Sequence, residues 1–94
     1  MKHVIWADSA LIDLARIDDW YADRNPDFAA LVGDAAVAAG RFLLDFPHAG
    51  PSFENQYLRK WPVPGTDYRM FYRPLQTGIE IVRIRHARED WRDV

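Results

Sequence analysis

The side chains best suited to chemistry lie in the last third of the chain. Arginines and a histidine alternate there with apolar residues in "YRMFYR" and "IEIVRIRH", and "AREDW" follows. A guanidinium group binds carboxylate or phosphate through paired hydrogen bonds, and an imidazole exchanges protons near neutral pH. The pattern therefore predicts a docking surface for an anionic partner or an acid–base site. The candidate residues are Arg69, Arg83, Arg85, His86, Arg88 and Trp91.

Each of these residues also has a purely structural interpretation. His86 stands at a strand end beside apolar neighbours, which is typical of a packed histidine. A single arginine is usually solvated or ion-paired, so only the clustering of several favours function. The remaining histidines, His3 and His48, lack metal-ligand spacing, and the chain has no cysteine. We therefore expect neither a metal nor another cofactor.

Length and charge limit the class of protein. The 94 residues suit one domain, residues 1–94, and the absence of cysteine excludes disulfides. The net charge is −2, but residues 1–56 hold 4 basic and 9 acidic side chains, whereas residues 57–94 hold 8 basic and 5 acidic ones. The basic half predicts an anionic partner, while the modest total argues against a dedicated nucleic-acid coat.

The hydropathy pattern predicts a cytoplasmic protein. A membrane-spanning helix needs roughly 20 apolar residues, and the sequence contains no such run. The first residues, "MKHVIWADSALIDLA", reach a charged side chain within a few positions, unlike a secretory signal peptide. We expect no membrane partner.

Apolar spacing predicts one strand, two helices and three further strands. "HVIWA" is strand-like, Asp8 or Ser9 offers an N-cap, and Leu11, Leu14, Ile17 and Tyr21 recur at helical spacing, with Ile12 beside them. Asn25 and Pro26 start a second helix that ends near Asp45 or Phe46. A loop, "DFPHAGPSFENQ", precedes the strands "YLRKWPV", "YRMFYR" and "IEIVRIRH".

These elements predict an α+β fold. A helical hairpin covers one face of a four-stranded sheet, in which the first strand lies beside one of the last three. We expect Trp6, Trp20 and the phenylalanines of the second helix in the core. Strict alternation places Ile79, Ile81, Arg83 and Arg85 on one face of the last strand, and Glu80, Val82, Ile84 and His86 on the other. An arginine face would combine Arg59, Arg69 or Arg73, Arg83 and Arg85.

The order of these motifs resembles the RelE/ParE superfamily of bacterial toxins. The resemblance rests on "FPxxG" (Phe46, Pro47, Gly50), on "YRxFY" from Tyr68 to Tyr72, and on "HxRxD" from His86 to Asp90. It covers nearly the whole chain and is closest to the ParE branch. The family fold is a small α+β sheet with a helical hairpin, as expected above.

The resemblance implies the toxin of a type II toxin–antitoxin module. ParE-like members inhibit DNA gyrase and are neutralised by a ParD-like antitoxin; a Phd- or RelB-like antitoxin is the alternative. We expect the antitoxin to bind an apolar groove that includes Leu14, Leu31 and Phe42. The toxin is not expected to bind DNA without its antitoxin.

Two alternatives stay open. RelE-like members cleave mRNA on the ribosome, but here Ala87 and Trp91 replace the arginine and tyrosine of that tail. An indole has no titratable proton for such chemistry, although Arg83, Arg85, His86 and Arg88 form a conceivable rearranged site. The second alternative is a non-toxic module that only binds an antitoxin. Intrinsic catalysis therefore remains undecided by the sequence.

Overall fold

The fold is a helical hairpin packed on one face of a mixed sheet. The computed structural model describes residues 1–53 and 57–88. The sheet order is β1-β5-β4-β3-β2, with β1 parallel to β5 and the other pairs antiparallel. The elements are β1 (His3–Trp6), α1 (Asp8–Tyr21), α2 (Pro26–Asp45), β2 (Ser52–Phe53), β3 (Leu58–Pro62), β4 (Tyr68–Leu75) and β5 (Gly78–His86).

This arrangement confirms the predicted element order and corrects the size of the sheet. The first strand lies beside the last one, since His3 pairs with Gly78 and Trp6 with Ile81. The prediction of four strands was wrong: part of the predicted loop forms β2, in which Ser52 pairs with Arg59. No helix in the described part of the chain is long and apolar enough to cross a membrane.

The two helices begin in different ways. In α2 the side chain of Asn25 accepts a hydrogen bond from the Phe28 N–H at 3.1 Å, and Pro26 follows, as predicted. In α1 the predicted caps were wrong, because Ala7 occupies the N-cap position without a side-chain hydrogen bond. The Ser9 hydroxyl instead donates to the Val82 carbonyl at 2.6 Å. Ser9 therefore joins α1 to the sheet.

Small residues let α2 approach the sheet closely. A Cβ atom on Gly40 would lie 3.1 Å from Cδ1 of Ile81, so little room remains at this crossing. Ala36 and Ala39 are buried on the same side of the helix. The core cluster of the described residues comprises Ala10, Ile17, Val32, Ala36, Ala39, Leu43, Val63, Tyr68, Met70, Tyr72, Ile79, Ile81 and Ile84.

Several residues expected in the core are exposed instead. Trp20 is 57% exposed, Phe46 57% and Phe42 45%. On α1 the buried residues are Ala10, Asp13 and Ile17, so the buried face is rotated away from Leu11 and Ile12. The large aromatic side chains therefore border the helix–sheet interface and leave apolar surface on the outside.

A β-bulge corrects the alternation predicted for β5. Tyr72 pairs with Ile81, but the preceding Phe71 pairs with Arg83, so Val82 is the extra residue. Ile81 and Ile84 consequently both join the core under the helices. Strict alternation had placed those two side chains on opposite faces, and this prediction was wrong.

The "FPxxG" segment is fastened to β4 by one buried tyrosine. The Tyr72 hydroxyl donates to the Pro47 carbonyl at 2.8 Å and accepts from the Gly50 N–H at 3.0 Å. A Cβ atom at Gly50 would lie 2.5 Å from the Lys60 carbonyl oxygen, so only glycine fits there. Arg59 donates to the Gly50 carbonyl at 2.7 Å. These contacts give the motif a structural role.

We predict that Tyr72→Phe lowers the free energy of unfolding by about 1–2 kcal/mol near neutral pH, because two hydrogen bonds of a buried hydroxyl are lost. Burial raises the pKa of Tyr72 above its ordinary value of 10.0, against smaller opposing effects of Gly50 and Arg59. The folded pKa is thus above the unfolded one. The hydroxyl's contribution is complete below about pH 10 and declines as the pH rises further.

Urea unfolding followed by tryptophan fluorescence, near neutral pH and at about pH 11, measures both effects. The difference between wild type and Tyr72→Phe should shrink at the higher pH. Tyr57→Phe is the matched control, since Tyr57 is 78% exposed. An unchanged difference at both pH values would contradict the assigned role of the buried hydroxyl.

Candidate docking surfaces

The first helix covers the part of β5 that β1 leaves open. The pairing of β1 ends where Trp6 meets Ile81. Beyond that point, the Ser9 hydroxyl binds the Val82 carbonyl, and the Ile84 N–H donates to Asp13 Oδ2 at 2.9 Å. An uncovered strand edge invites pairing with other chains. Side chains of α1 therefore replace a neighbouring strand along this stretch.

Asp13 is the main anchor of this contact. Asp13 is 6% exposed, and its carboxylate accepts hydrogen bonds from Arg83 Nε at 2.8 Å, Arg83 Nη2 at 3.1 Å and the Ile84 N–H. A buried charge is stable in a protein only when it is paired and its lone pairs are satisfied. The fold therefore fixes the orientation of the Arg83 guanidinium.

Next to this ion pair lies a cleft of about 210 Å³ between α1 and the C-terminal part of β5. We call it the arginine cleft. Three guanidinium groups and one carboxylate are among the side chains that line it. Its lining residues are Asp13, Arg16, Ile17, Trp20, Tyr68, Arg83, Ile84 and Arg85.

One wall of the arginine cleft is an exposed indole held in place by a further arginine. The Cζ atom of Arg24 lies 3.8 Å from the centre of the Trp20 ring, and Arg24 Nη1 donates to the Trp20 carbonyl at 2.6 Å. Such a cation–π contact, closed by a hydrogen bond to the same residue, restricts the indole. The wall is therefore apolar, accessible and already oriented.

The structure brings some of the predicted site residues together. Arg83 and Arg85 both line the arginine cleft. Arg69 lies directly across the strand pair from Arg85, and its Nη1 donates to the Tyr68 carbonyl at 3.1 Å. Arg88 is exposed just after β5. Trp91 lies outside the described residues.

His86 takes part in local packing. Its ring meets Tyr68 edge-on with centroids 5.2 Å apart, and its Nδ1 accepts from the Arg88 N–H at 3.1 Å. The backbone thus fixes the orientation of the imidazole. In residues 1–53 and 57–88, no three acidic or histidine side chains converge as metal ligands.

The broader arginine face predicted from the sequence is dispersed. Arg59 binds the carbonyl of Gly50 on the "FPxxG" segment. Arg73 Nε donates to Glu80 Oε1 at 2.6 Å across the strand pair. Neither arginine lines the arginine cleft. The cations brought together are instead Arg83, Arg85 and an arginine of α1, Arg16.

Sequence reasoning missed the contribution of α1. Asp13, Arg16, Ile17 and Trp20 stand at positions i, i+3, i+4 and i+7, so they share one face of the helix. The detectable signal was an arginine and a tryptophan on the same face as an aspartate.

A second surface, the apolar groove, lies between α2 and β3. It encloses about 290 Å³ and is lined by Ala38, Ala39, Phe42, Trp61 and Pro64. The rings of Phe42 and Trp61 stack with centroids 5.4 Å apart. Leu31 lies eleven residues before Phe42 on nearly the same helical face and is 46% exposed. Leu14, the third predicted antitoxin contact, is half-buried against the core.

Comparison with known proteins agrees with this architecture. The family model described as "ParE toxin of type II toxin-antitoxin system, parDE" matches residues 4–91. Among solved structures, the chain is similar to one from the "Chromosomal ParDE TA system from P. aeruginosa", with a TM-score of 0.76 and 24% identity over 92% of this chain and 96% of that chain. Curated protein sequences give no significant match. Since the family model spans nearly the whole sequence, the chain belongs to the ParE toxin family of type II toxin–antitoxin systems.

Proposed function

We propose that this ParE-family toxin arrests growth by inhibiting DNA gyrase and is neutralised by a ParD-like antitoxin. The main support is the family match over residues 4–91. The fold agrees with that of a solved ParDE system. In this proposal the toxin acts by binding its target. The remaining support comes from the arginines at the start of β4 and the end of β5 and from the apolar groove.

The proposed target-binding surface is centred on the start of β4 and the end of β5, which lie side by side in the sheet. Arg69 and Arg85 stand directly opposite each other across the two strands, so their guanidinium groups lie on one face of the sheet. Neighbouring guanidinium groups suit an anionic partner. The same surface includes Arg83, His86 and Arg88, and we propose that Trp91 of the tail extends it.

The surroundings of His86 give its ring a structural role. A general acid–base needs a ring nitrogen directed at the reacting group. Here Nδ1 is engaged by the Arg88 N–H, and the ring is packed against Tyr68. The Arg83 guanidinium, a second residue of the conceivable nuclease site, is held by Asp13. Both groups therefore have structural partners within the fold.

The apolar groove is the proposed antitoxin site. It offers Phe42 and Trp61 as a stacked pair, with Leu31 further along the same helix. Exposed apolar side chains at such spacing suit the apolar face of an amphipathic helix. A ParD-like antitoxin, named in the family description's parDE system, is the partner we assign to this groove.

We predict that the wild-type protein inhibits plasmid supercoiling by purified gyrase and traps cleavage complexes. Arg69→Glu combined with Arg85→Glu should raise the concentration needed for inhibition by at least about tenfold, because two central contacts become repulsive. Arg41→Glu, an exposed arginine of α2 outside both surfaces, is the matched control and should inhibit like wild type.

Other results would favour a different function. Growth arrest without gyrase inhibition, together with cleavage inside translated codons, would indicate a RelE-type ribonuclease. Antitoxin binding without any growth arrest would indicate a non-toxic module. Equal inhibition by wild type and the Arg69/Arg85 double variant would remove this surface from the proposal.

We predict that Phe42→Asp weakens binding of the cognate antitoxin by at least about tenfold, because a charge is buried in an apolar interface. Isothermal titration calorimetry with the purified antitoxin measures this loss. Ile12→Asp is the matched control: Ile12 is an apolar helix residue, 51% exposed, that does not line the groove. Equal affinities for both variants would place the antitoxin elsewhere.

A further inference from the structure

We propose that the arginine cleft binds a carboxylate side chain, adjacent to an apolar residue, in an acidic segment of a protein partner. This inference does not depend on gyrase being the target. It assigns a ligand class to a site formed by α1 and β5 together. Three features carry it: a fixed guanidinium group, the local charge and the apolar wall.

The guanidinium group of Arg83 is oriented before any ligand arrives. Its Nε and Nη2 atoms bind the buried Asp13 carboxylate at 2.8 and 3.1 Å. Arg83 therefore loses little conformational freedom when a ligand binds, and such preorganisation increases affinity. Arg16 and Arg85 line the same cleft from the helix and the strand, so cations border it on two sides.

The local charge favours an anionic ligand, and the apolar wall decides between a carboxylate side chain and a phosphate. Three arginines and one aspartate line the cleft, although the whole chain carries a net charge of −2. A guanidinium group binds either anion in a paired geometry. The three arginines attract a phosphate dianion more strongly than Asp13 repels it, so charge alone does not distinguish the two anions. The apolar wall distinguishes them, because an apolar neighbour of a carboxylate side chain can pack on Ile17, Ile84 and Trp20, whereas a free phosphate has no such group.

The size and the apolar wall indicate a peptide side chain. Pockets for drug-sized ligands and cofactors usually enclose about 300–1,000 Å³. The arginine cleft encloses about 210 Å³, which is enough for a carboxylate side chain and part of its neighbour. Ile17, Ile84 and the exposed ring of Trp20 provide contacts for an apolar neighbour. Arg24 holds that ring in place.

The test is an NMR titration of the full chain with the blocked peptide acetyl-Leu-Glu-Asp-Leu-amide, observing the indole N–H of Trp20. We expect a saturable shift at Trp20 and none at Trp61, which lies in the apolar groove. The neutral peptide acetyl-Leu-Gln-Asn-Leu-amide and inorganic phosphate should each bind at least about tenfold more weakly. An equal response to phosphate would identify a simple anion site and overturn the proposal.

Variants locate the binding in the cleft. Arg16→Gln should lower the affinity for the acidic peptide by about fivefold, and Arg85→Gln should also lower it. Arg41→Gln is the matched control, because Arg41 is also an exposed helix arginine but lies outside the cleft. The indole spectrum of each free variant reports whether it is folded. Unchanged affinity in folded Arg16→Gln and Arg85→Gln, or no saturable shift in wild type, would contradict the proposal.

Discussion

The rest of the structure depends on the contact between the buried carboxylate of Asp13, a residue of α1, and strand β5. The carboxylate accepts hydrogen bonds from Nε and Nη2 of Arg83 and from the Ile84 N–H. A helix side chain therefore completes the hydrogen bonding of a strand edge. The edge is thereby protected from pairing with other chains. The same carboxylate sets the position of α1 relative to β5 and, with it, the shape of the arginine cleft.

The layering of the two helices explains why the molecule has two separate surfaces. The alanine- and glycine-rich side of α2 lies close over β5 and β1, where Gly40 meets Ile81 and Val4. The flank of α2 towards β3 remains uncovered and forms the apolar groove with Trp61. The cleft lies instead between α1 and β5, and the two surfaces share no described lining residue. Under the proposed function, antitoxin and target have distinct primary contacts.

Features encoded by local chemistry were predictable from the sequence. Asn25 followed by Pro26 specified the start of α2, and apolar spacing predicted both helices and every strand except β2, in the correct order. The family motifs also led to the correct fold. The physical role of "FPxxG" was not predictable. The hydroxyl of Tyr72 holds this segment through hydrogen bonds with Gly50 and Pro47, which lie 22 and 25 positions earlier in the chain.

Features that depend on tertiary contacts were missed or wrong. The bulge at Val82 moves every following residue of β5 to the opposite face of the sheet, and the pattern of apolar residues in the sequence does not indicate the bulge. Asp13 lies in an acidic run and is the one acid of α1 that is buried, because Arg83 and Ile84 approach it from the sheet. Contacts of this kind join residues about 70 positions apart. The sequence therefore predicted the arginines of β5 in the candidate site but not the residues of α1.

The most direct test of this account is the hydrogen-exchange rate of the Ile84 amide in wild type and in Asp13→Ala. The Ile84 N–H donates to the Asp13 carboxylate, whereas the Val63 N–H donates to a backbone carbonyl, that of Tyr68 on β4, and serves as the internal reference. The account predicts that the substitution accelerates exchange at Ile84 by at least about tenfold more than at Val63, because the edge of β5 opens locally. Equal acceleration at both amides, or unchanged exchange at Ile84, would contradict the assignment of Asp13 as the contact that holds α1 on β5.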